Sequence, residues 1–121
     1  MHYVGVDIIE ITRIKRAMTR WRKSFLERIY TAPELSLYGK KPASLAVRFA
    51  GKEAVMKALG TPGKGVSWRE IEILADSSGH PLVNLYGKVQ NQANSLGLDS
   101  LVISLSHSRE YAVAMVIGET K

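Results

Sequence analysis

Hydrophobic and polar positions follow two periods along this chain. Tyr3 to Ile11 is rich in Val and Ile and reads as a strand. From Thr12 to about Arg28 the period changes to that of a helix. Ile14, Met18, Trp21 and Phe25 recur at spacings of four, three and four and form one apolar face. Arg13, Arg16, Arg20 and Lys23 recur near the opposite face, so one side packs and the other is a row of cations. Thr31-Ala32-Pro33-Glu34 has the form of a capping box and starts a short helix to about Tyr38, which Gly39-Lys40-Lys41-Pro42 ends. Ala43 to Leu59 is alanine-rich, lacks an internal proline and is followed by Gly60, which predicts a long helix with a glycine stop.

Thr61 to Gly65 reads as a loop. Ile71-Glu72-Ile73-Leu74 and Leu82-Val83-Asn84-Leu85 read as strands paired across the turn Ser77 to Pro81. Gly87 to about Leu96 predicts a helix ending at Gly97. Leu101 to Ser106 and Tyr111 to Ile117 predict two more strands. The order β-α-α-α-β-β-α-β-β is that of an α+β fold: a mostly antiparallel sheet packed with helices. The chain has 121 residues and no repeat or linker, so the expectation is a single domain over 1–121. A domain this small buries a limited share of its surface, and oligomerisation is in keeping with that.

Charge sharpens the picture. The net charge is +6, and the segment from Arg13 to Arg28 carries seven basic residues against one acid, while the rest of the chain is balanced. One acidic partner surface is therefore expected, whether protein, nucleic acid or anionic membrane. A nucleic-acid module lacks a supporting motif, and the apolar positions of this helix read as a core stripe rather than stacking aromatics. A basic amphipathic helix can also lie on anionic lipid. Neither of those two readings explains the carboxylates described next. The absence of cysteine excludes disulfides, thiolate metal sites and a cysteine nucleophile. The start of the chain has no basic segment before an apolar run, and no stretch is long enough to span a bilayer. The expectation is a soluble cytoplasmic protein.

Asp7 stands among Val4, Gly5, Val6, Ile8 and Ile9, where a carboxylate is costly unless paired, hydrogen-bonded or bound to metal. Gly5, on the same strand face, leaves room beside it for a ligand. A loop cap or a lysine partner for Asp7 is the plainer alternative. On the long helix Glu53 lies among Ala46, Phe49 and Ala50, with Lys57 one turn on, while Arg48 and Lys52 project on another side, toward solvent. Glu53 and Lys57 fit an ordinary helical ion pair. Taken with Asp7 they also fit a Mg²⁺ site, because that ion takes few protein ligands and keeps waters and substrate phosphates. The loop Gly60 to Gly65, with Lys64, offers backbone N–H groups to phosphate, or is simply a turn; it is not a P-loop. Ser106 and His107 bind an anion or cap a hairpin. No G-x-S-x-G elbow and no zinc-type histidine pair is present.

Three segments in this order resemble the holo-(acyl-carrier-protein) synthase family of phosphopantetheinyl transferases. They are Gly5-Val6-Asp7-Ile8-Ile9-Glu10-Ile11, Arg48-Phe49-Ala50-Gly51-Lys52-Glu53-Ala54-Val55-Met56-Lys57-Ala58 and Ser104-Leu105-Ser106-His107-Ser108-Arg109-Glu110-Tyr111-Ala112. The resemblance implies Mg²⁺ on Asp7 and Glu53, with Lys57 at a coenzyme A phosphate or the reacting centre. It implies that Arg48, Gly60, Lys64, His80, Pro81, Ser106 and His107 border coenzyme A. It also implies that Arg13, Arg16 and Arg20 dock an acyl carrier protein, and that the chain is a homotrimer with coenzyme A in clefts between subunits, serving fatty acid biosynthesis. Position 80 is histidine where the family often has lysine, which puts a charge contact from that turn in doubt near neutral pH.

Overall fold

The structure is a computed structural model and describes residues 1–60 and 67–120. The elements are β1 (His2–Glu10), α1 (Ile11–Ile29), α2 (Ala32–Tyr38), α3 (Pro42–Leu59), β2 (Ile71–Ala75), β3 (Pro81–Leu85), α4 (Gly87–Ser95), β4 (Leu98–His107) and β5 (Tyr111–Thr120). A short 3₁₀ turn, Trp68–Glu70, leads into β2. The expected α+β order is present, but the strands form two antiparallel sheets, β1-β5-β4 and β2-β3. The predicted loop Thr61 to Gly65, with Lys64, lies outside the described residues.

Helix α3 is the centre of the molecule. Leu45, Ala46, Ala50, Ala54 and Val55 are fully buried, and with Ile71, Ile73, Ala112 and Val116 they form the core. Its close seat on β1 depends on Gly5. A Cβ there would collide with the Ala54 carbonyl oxygen and sit 2.9 Å from the Ala58 nitrogen. The space that Gly5 frees is therefore filled by helix backbone, not left for a ligand as the sequence suggested.

Two charged residues expected to face solvent are buried. Lys52 is fully buried and Arg48 is 7% exposed. Lys52 Nζ donates to Glu34 Oε1 at 2.7 Å and to the carbonyls of Ile29 (2.9 Å) and Ile71 (2.7 Å). Glu34 in turn accepts from the backbone N–H of Thr31 and of Ile73, each at 2.8 Å. The helical wheel alone could not show this, because the side of α3 that looked free is covered by α2 and β2.

The predicted apolar stripe of α1 also breaks. Arg22 has φ 44° and ψ −122°, so α1 is two helical stretches joined at a strained residue. Ile14 is buried, Met18 and Phe25 are half-buried, and Trp21 is turned out to 54% exposure.

The outer face of the three-stranded sheet is apolar and uncovered. Val4, Val6 and Ile8 of β1 are 59%, 55% and 63% exposed, next to Met115 of β5 and Val102 of β4. Antiparallel sheets with one wet face normally alternate apolar with polar residues. This one does not.

Gly5→Ala tests the α3–β1 contact. The variant should lose about 2 kcal/mol or more of stability, since the clash is with backbone rather than a movable side chain. Thermal denaturation with the melting temperature of wild type would show the contact to be dispensable.

Candidate active site

The close seat of α3 brings three of the predicted residues together. Lys57 Nζ donates to Asp7 Oδ1 at 2.8 Å and to the Val6 carbonyl at 3.1 Å. Asp7 keeps little solvent contact, with a side chain 18% exposed, whereas that of Lys57 is 54% exposed. Glu53, one turn before Lys57, is half-buried. Burial raises the Glu53 pKa first, the nearby Asp7 charge raises it further, and Lys57 pulls it back in part. Lys57 is pushed upward by its hydrogen bond to Asp7 and by that carboxylate's charge.

This donor set fits Mg²⁺. Glu53 is disfavoured as an anion by burial and by Asp7, which is the condition a divalent cation would relieve. Two carboxylates leave most of the shell to water and substrate, as a small hard cation prefers. Among the described residues no cluster of three or more His, Cys, Asp or Glu offers a richer cage.

A second group forms at the other edge of the sheet. Arg48, Gly79, Pro81, Ser106 and His107 line a cavity of about 220 Å³. Arg48 Nε donates to the Ile73 carbonyl at 2.9 Å, Nη1 donates to that of Ser44 at 3.3 Å, and the guanidinium lies 3.5 Å over the Tyr38 ring. Burial lowers the Arg48 pKa, while Tyr38 and Glu34 oppose the shift. Arginine stays charged under such a shift. His107 Nδ1 lies 3.2 Å from the Ser108 carbonyl. The turn before β3 is tied by Asp76 Oδ1, which accepts from the N–H groups of Ser78 (2.8 Å) and His80 (3.0 Å). Its His80 ring points 3.8 Å from Asp76 and is not part of the cavity wall, although its neighbours Gly79 and Pro81 are. Gly60 ends α3 with φ 71°, a left-handed stop.

The two groups belong to opposite edges. Asp7 is on β1, Ser106 and His107 are on β4, and β5 lies between them.

A sequence profile of the 4′-phosphopantetheinyl transferase superfamily matches residues 3–116. The chain belongs to this superfamily. It is 56% identical over 119 residues to a holo-[acyl-carrier-protein] synthase of Dehalococcoides mccartyi, covering 98% of this chain and 99% of the relative. It is 45% identical over 125 residues to the one of Herpetosiphon aurantiacus, covering 98% of each. Among solved structures it resembles the Helicobacter pylori holo-[acyl-carrier-protein] synthase in complex with coenzyme A, with a TM-score of 0.86 and 34% identity over 96% of this chain and 99% of that one. A Bacillus anthracis holo-(acyl-carrier-protein) synthase matches with a TM-score of 0.80 and 36% identity, over 98% and 96%.

The basic face of the transferase's first helix is open. Arg13, Arg16 and Arg20 are exposed, and Lys15, Arg16, Thr19 and Arg20 line a shallow groove. Arg20 lies over the Trp21 ring at 5.0 Å. Sequence reasoning missed Tyr38, Glu34 and Lys52 as parts of one network. The capping box at Thr31–Glu34 was visible, but it gave no sign that Glu34 also meets a buried lysine.

Glu53 supplies a test that does not depend on turnover. Its raised pKa means that folding is favoured while the carboxyl holds its proton, and that this advantage is lost as pH rises through the shifted value. Without metal, Glu53→Gln should therefore match wild type at about pH 4 and melt higher than wild type at neutral pH. Added Mg²⁺ should raise the wild-type melting temperature and leave that of Glu53→Gln nearly unmoved. Equal Mg²⁺ shifts for both proteins would remove Glu53 from the metal site.

Proposed function

We propose that this chain transfers the 4′-phosphopantetheine group from coenzyme A to a serine of an apo-acyl carrier protein and releases 3′,5′-ADP. The observation that carries the reading is the convergence of Asp7, Glu53 and Lys57 at the α3–β1 contact, in a chain whose relatives over its whole length are holo-(acyl-carrier-protein) synthases. In this reading the transferase domain spans 1–121 and works in the cytoplasm, in the supply of holo-carrier protein for fatty acid biosynthesis.

Asp7 and Glu53 would hold Mg²⁺, which when bound neutralises the diphosphate and stabilises charge on the leaving group. Lys57 places a second cation beside the same phosphates. The serine oxygen attacks the phosphorus that bears pantetheine, that atom's bond to the bridging oxygen breaks, and the bridging oxygen departs with 3′,5′-ADP. The serine proton goes to Glu53 or to a water ordered beside it.

Coenzyme A carries a second anion, the 3′-phosphate. With the diphosphate at the β1 edge, the cationic cavity of Arg48, Ser106 and His107 at the β4 edge suits that 3′-phosphate. Gly79 and Pro81 border it. Gly60, at the end of α3, and Lys64, four residues further along the sequence, are the remaining candidates for a coenzyme A contact. His80 contributes through the shape of its turn.

The two edges meet if copies of the chain assemble around the apolar outer face of the sheet. Val4, Val6, Ile8, Val102 and Met115 give that face its reason to be covered. The assembly in this reading is the homotrimer that the family resemblance implies, with coenzyme A between neighbouring subunits. The exposed Arg13, Arg16 and Arg20 then meet the acidic carrier protein, where the charges mainly steer and orient the encounter. Among the described residues no helix is long and apolar enough to cross a membrane. Nucleic acid and lipid have no part in this reading.

The direct test is the intact mass of an apo-carrier protein after incubation with this protein, coenzyme A and Mg²⁺. A gain of one phosphopantetheine is expected, and an unchanged mass would refute the function. Arg13→Glu/Arg20→Glu should raise the KM for carrier protein about tenfold or more and leave the KM for coenzyme A unchanged. An unaltered carrier-protein KM would remove α1 from docking. Val6→Asp should convert a trimer into inactive monomers by light scattering. A fully active monomer would contradict the shared site.

A further inference from the structure

Helices α2 and α3 face each other through two rungs. Glu34 and Tyr38 are four residues apart on α2 and project from one face. Lys52 and Arg48 are four apart on α3, in the reverse direction. The first rung is the buried Lys52–Glu34 ion pair at 2.7 Å. The second is the Arg48 guanidinium stacked on the Tyr38 ring, 3.5 Å from its centroid.

The second rung restrains Arg48 in a specific way. The Ile73 carbonyl takes Nε–H and the Ser44 carbonyl takes one N–H of Nη1. The Tyr38 ring covers one face of the plane. What is left is the remaining N–H edge, on a side chain that lines the cavity with Ser106 and His107. Tyr38 is half-buried and is not part of the cavity wall. An arginine so fixed loses little rotamer freedom on meeting an anion, and its planar donors suit phosphate.

We propose that Tyr38 is a positioning residue for coenzyme A selection: its ring sets the plane of Arg48, and through Arg48 it sets the preference for coenzyme A over the form that lacks the 3′-phosphate. The inference rests on the placement of the 3′-phosphate in the Arg48 cavity. Tyr38 touches no substrate. Its effect is expected in substrate affinity rather than in the chemical step, because the reacting phosphates lie at the Asp7 edge. The stacked ring carries most of the effect, and the Tyr38 hydroxyl, which also interacts with the guanidinium, adds to it.

The test compares steady-state kinetics with coenzyme A and with dephospho-coenzyme A. The proteins are wild type, Arg48→Gln, Tyr38→Leu, Tyr38→Met and Tyr38→Phe, each checked by thermal melting. Tyr38→Leu and Tyr38→Met should raise the KM for coenzyme A about tenfold, with kcat within about twofold. Their kcat/KM for dephospho-coenzyme A should be unchanged, so that discrimination shrinks toward that of Arg48→Gln. Tyr38→Phe, which keeps the ring, should stay much closer to wild type than Tyr38→Leu does. If wild type handles both substrates equally, the placement of the 3′-phosphate is wrong, and the role of Tyr38 goes with it. If Arg48→Gln loses discrimination while Tyr38→Leu and Tyr38→Met keep it, the placement stands and Tyr38 is not the positioning residue. Equal losses for both substrates, or a Tyr38→Phe variant as impaired as Tyr38→Leu, would also overturn the proposal.

Discussion

The seat of α3 on β1 at Gly5 is the contact on which the rest of the molecule depends. Only a residue without Cβ lets the Ala54 carbonyl come so near the strand. That approach puts Lys57 within 2.8 Å of Asp7 and sets Glu53 where Asp7 raises its pKa. The alanines of α3 and of β5, with Ala112 and Ala114 buried, continue the same close packing. The site thus follows from small residues in the core: a strand and a helix must nearly touch before two carboxylates on them can share an ion.

A second constraint keeps α3 from turning about that contact. Lys52 joins the end of α1, α2, the 3₁₀ turn and β2 through Ile29, Glu34, Trp68 and Ile71. Glu72 extends the network, accepting from Thr31, Asn84 and Tyr86. Among the described residues no buried side-chain N or O lacks a partner. A buried charge pair gives little net stability over apolar packing, but losing one partner is costly, about 3–5 kcal/mol. Such a pair therefore fixes one arrangement of four elements. It carries Tyr38 to Arg48 and Arg48 to its cavity, so the same network that orders the core also shapes the surface where an anion fits.

Much of this was legible in the sequence, and the exceptions have physical causes. The strand and helix periods, the capping box at Thr31 and the stop at Gly60 are local signals, and all appear at or near their expected positions. The convergence of Asp7 with Glu53 and Lys57 was suggested by the three residues taken together and by the family resemblance, and the lysine partner that was the plainer alternative for Asp7 is Lys57. What failed needed tertiary information. Lys52 and Arg48 looked solvated because nothing local announces that α2 and β2 cover them. Gly5 looked like ligand space because a missing side chain does not say what fills the gap. Trp21 fitted the apolar stripe of α1, but it stands at the end of the first helical stretch, beside the non-helical Arg22, and its ring is left exposed. The apolar outer face was visible only as a Val- and Ile-rich strand, since a single strand does not reveal that both of its faces are apolar.

In the proposed reading, the two residue groups at opposite edges of the three-stranded sheet are half-sites, and burial of its apolar face in an assembly would bring unlike edges together. The central claim is that each working site takes Asp7 and Glu53 from one subunit and Arg48 and His107 from the next. Co-expression of Asp7→Asn with Arg48→Gln tests it most directly, with mixed oligomers verified by native mass spectrometry. The account predicts that at subsaturating coenzyme A the mixed oligomers modify carrier protein faster than the two variants do separately, because some interfaces then carry both intact halves. Mixed oligomers that form and yet gain nothing over the two variants separately would contradict it.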